Sequence, residues 1–132
     1  MRFLVVEDDL ITRSVLVRQL TPFGTCDSAV DGQEAVDAFE HAHREQSPYD
    51  LICLDIMMPR MSGMEALKVI RNSEKERGIH PRDEVKILMT TALDSPREVL
   101  DAFYQGGCTD YLVKPVTAEK LLIKLQACGL RV

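Results

Sequence analysis

Five short apolar runs alternate with amphipathic segments along the chain, and this alternation restricts the fold more than any other feature. The runs predict strands at residues 3–6, 25–30, 51–54, 85–89 and 111–113, the second being the weakest. Apolar residues at helical spacing follow each run, so we expect a helix after every strand. Strict strand–helix alternation is typical of a parallel sheet with helices on both faces. The sequence therefore predicts an α/β fold with a five-stranded parallel sheet and five helices.

Residues typical of helix ends mark several of these helices. Caps and capping-box spacings are expected at Asp9, at Asp31 with Glu34, at Ser62 with Glu65, and at Ser95 with Glu98. The last helix is expected to begin at Thr117. Gly129 is placed to end the last helix. The polar segment 72–84 contains Gly78 and Pro81 and predicts a frayed helix end followed by a loop.

Composition favours one domain spanning residues 1–132, because 132 residues with 45% hydrophobic content suit a single core. A net charge of −5 disfavours direct nucleic-acid binding and attachment to a membrane surface. The four cysteines are scattered without a C-x-x-C pair, which is typical of reduced thiols. No apolar run reaches the length of a signal-peptide core or a membrane span. We therefore expect a cytoplasmic protein.

Asp55 ends the central apolar run, 51–54, which has no polar face and so predicts a strand covered on both sides. In an open parallel sheet, the carboxyl ends of the strands form the edge where ligands bind. A strand-end aspartate is often only a helix cap. Here the next helix is predicted near Ser62, too far along the chain for Asp55 to cap it.

Acidic residues also follow the first strand, at Glu7 and Asp8. Carboxylates about 5 Å apart repel by about 3 kcal/mol at an effective dielectric of 20, so a cluster of them favours a bound cation. Oxygen ligands at an open edge suit Mg²⁺. The sequence predicts a magnesium site formed by Glu7, Asp8 and Asp55, completed by the backbone carbonyl of Met57.

Thr91 and Lys114 end the fourth and fifth strands and are predicted to face the same point. Thr90 precedes Thr91, so the strand pattern alone does not decide which of the two hydroxyls faces this point. A cation, a lysine and a hydroxyl beside a carboxylate are suited to stabilise a phosphoryl group. Asp55 is the candidate nucleophile, because aspartate forms acyl phosphates.

The segments that carry this pattern are Glu7-Asp8, Asp55-Ile56-Met57-Met58-Pro59, Ser62-Gly63, Thr91-Ala92 and Tyr111-Leu112-Val113-Lys114-Pro115. In this order and spacing, they resemble the receiver domain of two-component response regulators, over residues 2–128 and in the manner of a stand-alone chemotaxis regulator. The resemblance implies a flavodoxin-like fold with strand order 2-1-3-4-5. Whether the chain acts alone or is a domain of a longer protein stays open.

The same resemblance implies roles for the site residues. Asp55 would accept a phosphoryl group from a sensor histidine kinase or a histidine phosphotransfer protein. Asp8 would bind Mg²⁺ directly and Glu7 would bind or orient it. Lys114 would form an ion pair with the phosphoryl group, and a cis bond is expected between Lys114 and Pro115.

The resemblance also implies a switch in which the Thr91 hydroxyl moves toward the phosphate and the Tyr111 ring turns inward. Plain packing is the alternative for Tyr111. The signal would pass to a downstream protein target through the face of helix four, strand five and helix five. Whether phosphorylation also drives dimerisation is left open. Met57 and Leu93 flank the path of hydrolytic water, and their apolar side chains are expected to slow hydrolysis.

Two other classes of function have requirements that this sequence does not match. An aspartyl-phosphate phosphatase of the haloacid-dehalogenase type needs a second acid two residues after its nucleophile, and Met57 occupies that position. A constitutive binding module would not need the acids, Thr91 and Lys114 together. The sequence therefore favours a phosphoacceptor that assists its own phosphorylation and slow dephosphorylation, rather than an enzyme acting on other substrates.

Overall fold

The structure, a computed structural model, describes residues 1–92, 96–101 and 105–132. The strands are β1 (Arg2–Val6), β2 (Thr25–Ala29), β3 (Leu51–Asp55), β4 (Lys86–Thr91) and β5 (Asp110–Val113). The helices are α1 (Leu10–Leu20), α2 (Gly32–Arg44), α3 (Gly63–Glu76), α4 (Pro96–Asp101) and α5 (Ala118–Ala127). Short 3₁₀ turns lie at Thr21–Phe23 and Pro81–Asp83. The predicted alternation of strands and helices is confirmed.

The five strands form one parallel sheet in the order β2-β1-β3-β4-β5. This is the predicted flavodoxin-like order. The strand order switches between β1 and β3: the chain continues from β1 to β2 on one side and from β3 to β4 on the other. The loops that follow β1 and β3 therefore diverge and leave an open crevice at the carboxyl edge. Among the described residues, no helix combines the length and the apolar character that crossing a membrane requires.

Each face of the sheet is covered by its own hydrophobic core. The α2/α3 core contains Leu4, Val6, Ile52, Leu54, Ile87 and Met89 from the strands, packed by residues of α2 and α3 such as Phe39 and Ile70. The α1/α5 core contains Phe3, Val5, Leu51, Cys53, Leu88 and Leu112, packed by residues of α1 and α5 such as Leu16 and Leu125. Successive residues of a strand point to opposite faces. Asp55, two residues after Cys53, therefore continues the α1/α5 face.

Side chains cap four helices, at three of the predicted caps and at Thr117, where the last helix is expected to begin. The backbone N–H three residues on donates to the side chain of Asp9, Asp31, Ser62 and Thr117. At Ser62 the reciprocal bond from Glu65 completes a capping box. Gly129 follows α5 with a φ of 85°, as expected of a C-terminal cap. The cap predicted at Ser95 lies outside the described residues.

Some element ends differ from the predictions. β3 includes Asp55, and β4 continues to Thr91, because the amide of Lys114, the residue directly after β5, donates to the Thr91 carbonyl at 2.7 Å. Helix α3 runs regularly to Glu76, further than the frayed end predicted within 72–84. Ser73 and Arg77 there both bond Glu40 of α2, so contacts with α2 stabilise a polar last turn.

Candidate functional site

Three carboxylates meet at the carboxyl edge of the sheet. One oxygen each from Glu7, Asp8 and Asp55 lies within 4.8 Å of the others. Glu7 is 1% exposed and Asp55 is 4% exposed, whereas Asp8 lies at the surface. The structure thus brings together the three acids predicted from the sequence. Glu7 and Asp55 lie at the bottom of the crevice, and Asp8 lies at its mouth.

The backbone around Asp55 fixes its position from both sides. The following amide, of Ile56, donates to the Thr90 carbonyl of β4 at 3.0 Å. The loop then turns back, and the Gly63 amide at the start of α3 donates to the Ile56 carbonyl at 2.9 Å. A Cβ on Gly63 would lie inside contact distance of the Asp55 carbonyl oxygen, so only glycine permits this approach. The first turn of α3 is therefore packed directly against the backbone of Asp55.

Lys114 bridges two of the carboxylates. Its Nζ lies 2.6 Å from Glu7 Oε1 and 3.3 Å from Asp55 Oδ1. The cis bond expected between Lys114 and Pro115 is confirmed. The ammonium is held more closely by Glu7 than by Asp55.

Burial and neighbouring charges shift the pKa values of these groups in different directions. Burial and the nearby negative charge of Glu7 raise the pKa of Asp55 to about 7. Burial also opposes ionisation of Glu7, but hydrogen bonds from Lys114 and the Asp9 amide prevail and lower the pKa of Glu7. Burial works against the charged form of Lys114, yet its bond to Glu7 and its attraction to Asp55 raise the pKa of Lys114. Asp55 therefore holds its proton more tightly than an exposed aspartate does, although an ammonium lies beside it.

The donor set fits Mg²⁺. Three carboxylate oxygens converge from the carboxyl ends of β1 and β3, and the exposed side chain of Asp8 leaves one side open to water, as this cation prefers. Partial loss of hydration and the adjacent Glu7 also raise the pKa of Asp8, so a cation at the mouth would favour its charged form. The residues present therefore suit a hard dication.

Met57 stands beside the carboxylates but does not cover them. Its amide donates to Asp55 Oδ1 at 3.3 Å, and its residue is 67% exposed. Its side chain therefore forms an apolar rim at the mouth of the crevice. The predicted role of its carbonyl as a metal ligand stays a prediction, as does the effect of Met57 on hydrolysis. Leu93, assigned the same effect, lies outside the described residues.

The two predicted switch residues occupy neighbouring strands. Thr91 is buried at the end of β4, and its hydroxyl donates to the Ala92 carbonyl at 3.1 Å. Tyr111 is half-buried against the α2/α3 core, with Lys124 Nζ 5.5 Å from its ring centre. Their proposed movement remains a prediction.

Two residues near the site were not assigned a role from the sequence. Arg13 of α1 donates to the Glu7 carbonyl at 2.8 Å and to the Asp8 carbonyl at 3.4 Å, so it fixes the backbone of both acids. The one sequence feature that points to this role is its position, six residues after Glu7 on the first turns of a predicted helix. Thr90 is paired with Asp55 in the sheet, at the end of the neighbouring strand β4.

A parallel sheet in the order 2-1-3-4-5, with an acidic crevice and a lysine at its carboxyl edge, defines the class of this protein. The family model of the response regulator receiver domain matches residues 3–126. The chain belongs to this family, the receiver domains of two-component response regulators.

Its curated relatives include the response regulator MprA of Mycolicibacterium vanbaalenii, which is 37% identical over 127 residues. That match covers 96% of this chain and 49% of the relative. The chain therefore spans about half the length of the curated relatives that it matches.

Solved structures with the same fold include two complexes. A chain of the co-crystal of the Saccharomyces cerevisiae histidine phosphotransfer protein Ypd1 with the receiver domain of Ssk1 matches with a TM-score of 0.83 and 33% identity, covering 98% of this chain and 88% of that one. A chain of the CheX–CheY–BeF₃–Mg²⁺ complex from Borrelia burgdorferi matches with a TM-score of 0.83 and 27% identity, covering 99% and 90%. Both similarities extend over almost the whole chain.

Proposed function

We propose that this chain is a signalling switch in which Asp55 accepts a phosphoryl group from a phosphohistidine on a sensor kinase or phosphotransfer protein. A carboxylate oxygen of Asp55 forms the new bond to phosphorus as the bond from phosphorus to the histidine nitrogen breaks. The proton then needed by the histidine comes from solvent. The observation that carries this proposal is the buried Asp55 carboxyl, in contact with Lys114 and beside two further acids.

The surroundings of Asp55 suit it for this role better than those of the other two acids. Glu7 is occupied by Lys114 and by the Asp9 amide, and Asp8 projects to solvent. Asp55 lies between them, with one oxygen held by the Met57 amide and by Lys114. Glu7, Asp8 and Asp55 would hold Mg²⁺, which when bound would supply positive charge to neutralise the oxygens of the transferred group.

Lys114 provides a second positive charge at the same place. Its ammonium already spans Glu7 and Asp55, so a small movement suffices to reach phosphoryl oxygens on Asp55. Thr91, at the end of the adjacent strand, would turn its hydroxyl from the Ala92 carbonyl to the phosphate. That rotation, followed by Tyr111, would carry the change to the face of α4, β5 and α5 and to a downstream protein target.

Exposed apolar side chains near the crevice support a protein as the donor. Leu10, Ile11 and Val15 on α1 are exposed, and Met57 forms the rim of the crevice. Such side chains are typical of surfaces that bind another protein. The structural similarity to a receiver domain crystallised with a histidine phosphotransfer protein agrees with this reading. We infer a phosphoacceptor that functions in the cytoplasm without binding nucleic acid, and not an enzyme for other substrates.

Phosphoramidate tests this function because, like phosphohistidine, it carries phosphorus on nitrogen. Wild-type protein incubated with phosphoramidate and Mg²⁺ should acquire a phosphoryl group that hydroxylamine removes, as expected of an acyl phosphate. Asp55→Asn should acquire none, whereas the control Asp37→Asn, on the exposed side of α2, should match the wild type. Hydroxylamine-resistant labelling, or equal labelling of Asp55→Asn, would contradict the proposal.

A further inference from the structure

Thr90 carries a buried hydroxyl without a hydrogen-bonding partner. The residue is 1% exposed, and its Oγ1 has no partner among the residues that the structure describes. Burying a hydroxyl without a partner is unfavourable, and valine would fill nearly the same space without that cost. A polar side chain here therefore indicates a partner that is present in another state of the site.

The strand register places Thr90 beside Asp55. The two residues are directly paired between β3 and β4, and Thr90 is paired with Leu112 on its other side. Leu88 and Leu112 both belong to the α1/α5 core, so alternation directs Thr90 to that same face. Met89 belongs to the opposite, α2/α3 core, so alternation directs Thr91, two residues later, to that opposite face. Thr90, and not Thr91, thus shares the face of the sheet on which Asp55 lies.

Lys114 passes over this position. It begins directly after β5 and contacts Asp55 on β3 and Glu7 after β1. In the order β1-β3-β4-β5, that path crosses the end of β4. Thr90 is the residue of β4 that is paired with Asp55, and it lies on the face of the sheet that Lys114 crosses. The register therefore places the hydroxyl on the same face of the sheet as Asp55, to which the lysine side chain reaches across β4.

An ammonium group has three N–H donors, and the contacts with Glu7 and Asp55 engage two of them. We propose that Thr90 is a positioning residue for Lys114. Its hydroxyl oxygen accepts a hydrogen bond from the ammonium when a phosphoryl group on Asp55 draws Lys114 away from Glu7. The inference rests on the proposed function, and it adds a group that orients the lysine in the phosphorylated state.

Thr90→Val and Thr90→Ser test this role, with beryllofluoride and Mg²⁺ as the probe for the phosphoryl group. Thr90→Val keeps the shape of the side chain and should bind beryllofluoride about threefold to tenfold more weakly than wild type, as expected for one lost hydrogen bond. Thr90→Ser keeps the hydroxyl and should stay within about twofold of wild type. Without ligands, Thr90→Val should melt at the same temperature as wild type or higher, because it removes the unpartnered hydroxyl.

Proton NMR of the Lys114 ammonium in the beryllofluoride complex reports on the partner directly. Its N–H protons should exchange with water faster in Thr90→Val than in wild type or Thr90→Ser. Equal beryllofluoride affinities, equal exchange rates, or a serine variant as weak as the valine variant would each overturn the role of Thr90. If wild type itself does not bind beryllofluoride, the proposed function fails, and this inference fails with it.

Discussion

A single lysine shared by two buried carboxylates dominates the site at the scale of residues. Lys114 contacts Glu7 and Asp55, and a third acid lies at the mouth. Burial and the negative charge of Glu7 raise the pKa of Asp55 to about 7, although Lys114 beside it acts in the opposite direction. The chemical state of each side chain therefore depends on its neighbours.

Lys114→Met should destabilise the protein, because it leaves Glu7 buried without its cation. We expect the free energy of unfolding at pH 8 to fall by about 1–3 kcal/mol, somewhat less than for a fully buried pair because Lys114 is partly exposed. Urea unfolding measures the change. Lys124→Met removes a more exposed ion pair with Asp110 and should cost under about 1 kcal/mol. Equal losses in the two variants would contradict this ranking.

Asp27 provides a pH dependence away from the crevice. The Tyr49 hydroxyl, at 2.6 Å, and the Arg2 guanidinium, at 3.0 Å, donate to Asp27 and lower its pKa in spite of partial burial. Between the folded and unfolded pKa values, the folded state binds fewer protons. The stabilisation is therefore present above the unfolded value, about 3.9, and is lost as pH falls through the folded pKa.

Asp27→Asn should accordingly be less stable than wild type at pH 6, and the difference should shrink as the pH falls toward 3. Urea unfolding across that range measures it. Tyr49→Phe removes the hydroxyl and should abolish part of the same pH dependence. A difference between wild type and Asp27→Asn that stays constant from pH 6 to pH 3 would rule out this account.

At the scale of elements, the start of α3 is fixed against the end of β3. Gly63→Ala would place a Cβ against the Asp55 carbonyl oxygen, which belongs to the backbone and cannot move aside cheaply. We expect a loss of more than about 2 kcal/mol in unfolding free energy, together with weaker Mg²⁺ binding, because α3 and Asp55 must separate.

Gly78→Ala is the control for this variant. Its Cβ would meet nothing within 4 Å, and only its φ of 71° opposes alanine. Its cost should be about 1 kcal/mol, with Mg²⁺ binding unchanged. Thermal unfolding and magnesium titration of both variants decide the matter; similar effects of the two substitutions would show that the contact with Asp55 is unimportant.

The elements that depend on local pattern were predictable from the sequence, and those that depend on distant partners were not. Helix α1 begins directly after its predicted cap, Asp9, because a cap is a local signal. β4 extends past its apolar run because its last carbonyl pairs with Lys114, which periodicity cannot show. The acids and the lysine were selected because each ends a strand. The bond between Glu7 and Lys114 joins residues 107 positions apart and became visible only in the folded chain.

At the scale of the whole molecule, the acidic crevice links folding to magnesium. A ligand that binds only the folded state stabilises it by about 1.4 kcal/mol at ten times its dissociation constant, or about 5 °C in Tm for a domain of this size. We expect Mg²⁺ to raise the Tm of wild type by this amount. Differential scanning fluorimetry, with magnesium added to chelator-treated protein, measures the shift.

Asp8→Asn and Asp9→Asn distinguish the loss of a metal ligand from the loss of a negative charge nearby. Asp8→Asn should raise the Tm without metal, because it removes negative charge from beside Glu7, and should reduce the magnesium shift. Asp9 caps α1, and asparagine caps equally well, so Asp9→Asn should retain the full shift. An unchanged magnesium shift in Asp8→Asn would remove Asp8 from the metal site.

The most direct test of the central claim is intact-mass spectrometry after incubation with acetyl phosphate, with and without Mg²⁺. The account predicts one added phosphoryl group on the wild type, present only with Mg²⁺ and absent from Asp55→Asn. An adduct of equal size on Asp55→Asn, or no adduct on wild type that still binds magnesium, would contradict phosphorylation of Asp55 as the function of this site.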